Sequence, residues 1–213
     1  METVLLSVRS SILSGFRTLP LILISFIGFL AVGIGNMGLF MLFIGHILII
    51  PLLYISNWIF KSLPAPIHSR VGMLVPTATS TELYDPGYPS FWMGHICFFF
   101  GYLLMNAGIL YENQKGDTKI DKQFVNKRKS KARSILIFGC IILGILIGLR
   151  MATGAEKTGG IIVALVVAGG LGIGWHALVS ACGVGMADVF GISSQMGPSI
   201  NPMPTTCVYS PKP

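Results

Sequence analysis

Four long stretches of this 213-residue chain contain no Asp, Glu, Lys or Arg: Leu19–Ile55, Ser90–Tyr111, Ser134–Leu149 and Gly159–Ala187. A bilayer's hydrocarbon core is about 30 Å thick and takes roughly 20 apolar residues per helix. A soluble core has no need of such uninterrupted runs. The chain therefore reads as an all-α integral membrane protein. Its composition agrees, with 11% charged residues where soluble domains carry about 25%.

The first stretch would be about 55 Å long as one helix, too long for a single crossing. Gly33-Ile34-Gly35-Asn36-Met37-Gly38 lies at its middle, and Gly and Asn favour turns. The expected spans are 19–35, 38–55, 91–111, 134–149 and 160–180, a bundle of about five helices. Arg133 and Arg150 flank the short fourth span, where they are expected to snorkel to the interface. The first apolar run lacks a small-residue cleavage site and is too long for a secretory signal, so it is expected to remain as an anchor.

The net charge of +7 is concentrated in one place. Between Glu112 and Arg133 lie eight basic residues against Glu112, Asp117 and Asp121, a net +5. A basic loop between two spans marks the cytosolic side. The alternative is contact with anionic lipid or an acidic partner; nucleic acid is not expected. With five spans the C-terminus shares the side of the 112–133 loop, and segments 1–18 and 57–89 lie opposite. Arg9 and Arg17 then sit on the non-cytosolic side, against the rule. Four spans, with a single crossing in the first stretch, would remove that conflict.

Two segments outside the spans stand out. Loop 57–89 holds Pro64, Pro66, Pro76, Pro86 and Pro89, bracketed by Trp58, Tyr84, Tyr88 and Trp92. It reads as an irregular cap with interfacial aromatics. The tail, 188–213, is rich in proline and nearly uncharged. Proline excludes helix over most of it, so it is either disordered or extended and docked on a neighbouring protein. Ile192, Met196, Ile200, Met203, Val208 and Tyr209 are the apolar teeth a docking tail would use. Cys97, Cys140, Cys182 and Cys207 form neither a CxxC nor a disulfide framework; each reads as a buried, inert thiol.

His95, Tyr102 and Asn106 fall at i, i+7 and i+11, on one helix face. Such a polar face serves either as interhelical hydrogen bonds or as a wet relay or ligand site. Ala168, Gly172, His176 and Ser180 form a stripe at spacing four, and Cys140, Gly144 and Gly148 another. Small residues at every fourth position let helices approach closely, so both read as packing seams. His46 and His176 add imidazoles, but no carboxylate lies inside a span, and no metal or cofactor is expected. Nor do the spans hold an intramembrane acid–base pair of the kind transporters use.

Pro89-Ser90 and Gly94-His95 resemble the Pro-Ser-Gly-His element of membrane lipid phosphatases. That likeness is interrupted by three extra residues. Val71 follows Arg70 where the family has Pro, and His176 is far from Arg150. A phosphate-transferring His needs an anion cradle and a base partner, and neither is visible. No catalytic residue is therefore assigned, with the lipid-phosphatase-like enzyme and a small channel or transporter as alternatives.

Two stretches carry a different resemblance. Tyr88-Pro89-Ser90-Phe91-Trp92-Met93-Gly94-His95-Ile96-Cys97-Phe98-Phe99-Phe100-Gly101-Tyr102, continuing to Asn106-Ala107, is the first. Ala181-Cys182-Gly183-Val184-Gly185-Met186-Ala187-Asp188-Val189-Phe190-Gly191-Ile192 is the second. They resemble small multi-spanning membrane proteins of large icosahedral double-stranded DNA viruses of algae and protists. The resemblance implies a minor capsid protein of the virion's internal membrane, with no chemistry. It would tie the capsid shell to that membrane through the tail 188–213 and the loop 57–89.

Overall fold

The computed structural model describes residues 2–60, 89–112, 119–152, 156–183 and 186–190. These residues are helical apart from short turns, with no strand among them. The helices are α1 (Glu2–Ile34), α2 (Met37–Ile59), α3 (Phe91–Glu112), α4 (Lys119–Ala152) and α5 (Thr158–Cys182). A π-helical segment, Ala164–Gly169, interrupts α5. Four helical stretches are long and apolar enough to cross a membrane: Met37–Ser56, Phe91–Glu112, Val125–Ala152 and Thr158–Cys182. The apolar part of α1, Thr18–Ile34, is shorter.

The turn in the first stretch falls where glycine and asparagine place it. Gly35 has φ 68°, the left-handed region that favours glycine. Asn36 then caps α2, its side-chain oxygen accepting from the Leu39 amide at 3.1 Å. Two expected boundaries are corrected. The basic segment 112–133 is not a loop throughout, because α4 is helical from Lys119. Lys, Arg, Gln and Ala are good helix formers and no Gly or Pro interrupts 119–133, so the helix runs on beyond its apolar part. Likewise 1–18 is no separate segment: α1 is continuous from Glu2 and passes through Pro20.

Helix α3 is the hub, with over half of its apolar window buried, against about a tenth for that of α4. Arg150 stacks near Trp92, Gly139 faces Leu104, and Lys129 lies over Tyr111, so α4 runs antiparallel to α3. Glu156, just before α5, meets Ser90, Gly169 meets Gly101 and His176 meets Tyr102, so α5 runs parallel to it. Helix α2 is antiparallel, with Tyr54 on Phe91 and His46 on Phe98. One end of the bundle therefore carries the Gly35 turn, the end of α3, the basic start of α4 and residues 186–190. We call it the basic end. Trp92, Arg150 and Glu156 lie at the other.

The exterior is apolar and part of the interior is polar. Phe29 and Val32 are 81% and 80% exposed, while His46, His95, Asn106, Arg150, Glu156, His176 and Asp188 are buried. The seam between α3 and α5 has no room for side chains. A Cβ on Gly172 would meet the Phe98 carbonyl, and one on Gly101 the Gly169 carbonyl.

Candidate functional site: buried polar ties along the central helix

Three groups of buried polar side chains are strung along α3. The first is at the Trp92 end. Arg150, the last basic residue of α4, pairs with Glu156 at 2.9 Å, and the two side chains are 0% and 1% exposed. Ser90 caps α3, accepting from the Met93 amide at 3.2 Å, and its hydroxyl donates to the same Glu156 oxygen. The Arg150 guanidinium lies 4.6 Å from the Trp92 ring, a cation–π arrangement. The Trp92 indole N–H donates to the Phe16 carbonyl of α1 at 3.0 Å. One ion pair thus gathers α1, α3, α4 and the start of α5. A buried charge is tolerable when paired and hydrogen-bonded, as here.

This group corrects one expectation and adds a residue. Arg150 does not snorkel outward but turns into the bundle. Its buried acidic partner, Glu156, sits between α4 and α5 rather than inside an apolar helix. Glu156 was missed because it lies just outside the uncharged runs. The available signal was its isolation, as the one acidic residue between Asp121 and Asp188.

The second group is a pair of imidazoles. His46 of α2 and His95 of α3 face each other with their Nδ1 atoms 3.2 Å apart. One ring donates and the other accepts, so they need opposite roles at Nδ1. Phe98 and Phe99 pack on His46. The Nε2 atoms of both rings are buried, without hydrogen-bond partners among the described residues. No group of three or more His, Cys, Asp or Glu that could hold a metal ion occurs among the described residues.

The third group holds the start of the tail at the basic end. The Tyr102 hydroxyl donates to the Ala187 carbonyl at 3.2 Å, and the Asn106 amide donates to the same oxygen. Asn36, besides capping α2, donates through its amide nitrogen to the Val189 carbonyl at 3.2 Å. Asp188 accepts from the Phe190 amide at 3.1 Å, a local turn of the Asx kind. A Cβ on Gly38 would meet the Asp188 backbone. His176 packs edge-on against Tyr102, ring centroids 4.9 Å apart, and shares a 3.3 Å hydrogen bond with Ser180.

The face His95–Tyr102–Asn106 is therefore one row along α3 that serves two places. His95 goes to α2, while Tyr102 and Asn106 go to residue 187. Ala168, Gly172 and His176 are buried toward α3, with Ser180 half-buried beyond them. The other stripe is a correction: Cys140, Gly144 and Gly148 lie on the outer face of α4, and neither glycine has a neighbour at its Cβ position. Gly139, Leu143, Leu146, Ile147 and Arg150 turn inward instead. Gly139, Leu143 and Ile147 share the same spacing one residue earlier, so spacing defines a stripe without saying which stripe meets the neighbouring helix. Of the cysteines, Cys97 is buried, but Cys140 and Cys182 are exposed on the protein surface, against expectation. Residues 61–88, and the tail residues Ile192, Met196, Ile200, Met203, Val208 and Tyr209, lie outside the described residues.

Each group ties helices or the tail root together through its own hydrogen bonds, while the Nε2 atoms of His46 and His95 have no partner among the described residues. Ser90 and Arg150, the groups a phosphatase reading would draw on, both engage Glu156. A cleft of about 180 Å³ between α2, α3 and α5 is lined by Gly45, Leu52, Phe98, Trp175 and Leu178, among others, and carries no titratable group. Comparison with known protein families, curated proteins and solved structures finds no match to this chain.

Proposed function

We propose that this protein is a multi-spanning membrane anchor that presents its C-terminal tail to a partner protein. The observation that carries the reading is the double hydrogen bond from Tyr102 and Asn106 to the Ala187 carbonyl. Two buried side chains of the central helix hold a carbonyl at the root of the tail, and Asn36 holds another. Such a root transmits load from a tail to a bundle. The polar interior and apolar exterior suit a lipid solvent, in which polar groups turn toward other helices. The buried polar groups are used as ties between elements, which suits a structural role.

The resemblance of 88–107 and 181–192 to membrane proteins of large DNA viruses supports one choice of partner. It is a capsid protein above an internal viral membrane, bound through the tail 188–213 and the loop 57–89. Many copies in a lattice would make modest contacts act together. Crosslinking mass spectrometry on intact particles tests this. Links from Lys212 to an abundant capsid protein are expected. Links confined to this chain, in particles that contain it, would overturn the tether.

A further inference from the structure

We propose that Lys127, Arg128, Lys129, Lys131 and Arg133 form a collar on α4 that binds anionic phospholipid headgroups at the basic end of the bundle. The proposal rests on the membrane reading above; it decides for anionic lipid over an acidic partner and adds a set of residues, a depth and a side.

Depth along α4 carries the inference. Its uncharged run begins at Ser134, directly after Arg133. At 1.5 Å per residue, positions 127–133 lie within about 10 Å of that boundary. The headgroup layer on each side of a bilayer is about 5–8 Å deep. The five cations therefore stand at headgroup level or just outside it. Lys119 and Lys122, on the same helix, are about 18–22 Å out. Beyond the headgroup layer that leaves a gap of about 10–17 Å, one to two Debye lengths at physiological salt, so they add little.

A second depth marker comes from α3. Tyr111 is exposed near its end, and the Lys129 ammonium lies 5.8 Å from that ring. Exposed tyrosines concentrate at the water–lipid interface, so Lys129 shares that level by contact as well as by counting.

The arrangement also suits many headgroups rather than one. Steps of about 100° per residue spread the five cations around the helix, while Ala132 takes the buried position. No Asp or Glu lies between Lys122 and Glu156 to compete within the helix. Glu112, at the end of α3, and the buried Asp188 are the acidic groups with described side chains at this end. The other end shows no such cluster among the described residues; there Tyr54 and Trp58 are the exposed interfacial groups.

The test uses the full chain reconstituted in phosphatidylcholine vesicles, with trace spin-labelled phosphatidylglycerol or phosphatidylcholine. Electron paramagnetic resonance reads the immobilised fraction of each label. The wild type is expected to retain the anionic label at least about threefold over the zwitterionic one, with the preference shrinking in 1 M salt. Together, Lys127→Gln, Arg128→Gln, Lys129→Gln, Lys131→Gln and Arg133→Gln should bring the ratio near one. Lys119→Gln with Lys122→Gln should leave it nearly unchanged. Glutamine keeps helix propensity, and an unaltered circular dichroism spectrum verifies that the variant folds.

Equal retention of both labels by the wild type, or an undiminished preference in the five-site variant, overturns the proposal. So does a salt-sensitive affinity for a DNA oligonucleotide that the variant loses while its lipid preference persists, which would make nucleic acid the ligand. Failure of the membrane reading looks different: the protein would wash off the vesicles in alkaline carbonate, before any lipid ratio could be read.

Discussion

The indole N–H of Trp92 donates to the carbonyl of Phe16, 3.0 Å away. That carbonyl is the one Pro20 leaves open, because proline four residues on has no N–H to donate. Pro20 lies inside α1 without ending it, and Trp92, from α3, takes the place of the missing donor. Removing that donor by Trp92→Phe should destabilise the bundle by about 1–2 kcal/mol. The penalty should shrink in a Pro20→Ala background, where the helix supplies its own donor. Thermal unfolding of the four chains of this double-mutant cycle, in detergent, measures both effects.

The buried pair at the same end gives an asymmetric expectation. Arg150→Met or Glu156→Gln alone leaves a buried group without its partner, and each should cost about 3–5 kcal/mol. The double variant should recover part of that loss. Equal and additive losses, read by the same unfolding assay, would mean that the pair is solvated rather than enclosed.

The two small-residue stripes should respond oppositely. Gly172→Ala and Gly101→Ala place a methyl against backbone of the facing helix, an overpacking that costs about 1–3 kcal/mol. Gly144→Ala and Gly148→Ala have open space at their Cβ positions, and should be neutral or slightly stabilising through helix propensity. Melting temperatures of the four single variants decide.

For the histidines, truncating one should hurt more than its share. His95→Leu or His46→Leu leaves a buried imidazole without the other ring, whereas the double variant removes both polar groups. A coupling energy of about 0.6–1.7 kcal/mol is expected, the range of interhelical hydrogen bonds in lipid. No coupling between the two positions would contradict the tie.

The tail root should loosen in steps. Tyr102→Phe removes one of the two donors to Ala187 and should cost about 0.5–1.5 kcal/mol. Adding Asn106→Leu removes the second. Hydrogen exchange at 186–190 should quicken with the first change and more so with both.

The outline of this fold was legible because it depends on charge and local turn chemistry. Uncharged runs mark helices, and Gly35 followed by Asn36 marks a turn in the first of them. Spacing also placed Ala168, Gly172 and His176 on one face. What remained hidden depends on which helix lies beside which. His95, Tyr102 and Asn106 share a face, but nothing in their spacing says that His46 meets one and Ala187 the other two. Cys140, Gly144 and Gly148 have the form of a seam, yet α4 turns a different face inward. Glu156 escaped notice because a lone acid gains meaning only when Arg150 folds onto it.

In a membrane-spanning bundle of this kind the tail leaves from the same side as the basic helix. Accessibility of single cysteines in sealed vesicles tests this most directly. In a chain whose own cysteines are replaced by serine, Lys131→Cys, Lys212→Cys and Lys157→Cys are each labelled with a membrane-impermeant maleimide. In vesicles of uniform orientation, positions 131 and 212 should behave alike, and position 157 should behave oppositely until detergent is added. Opposite behaviour of 131 and 212, or labelling of all three in intact vesicles, would contradict the account.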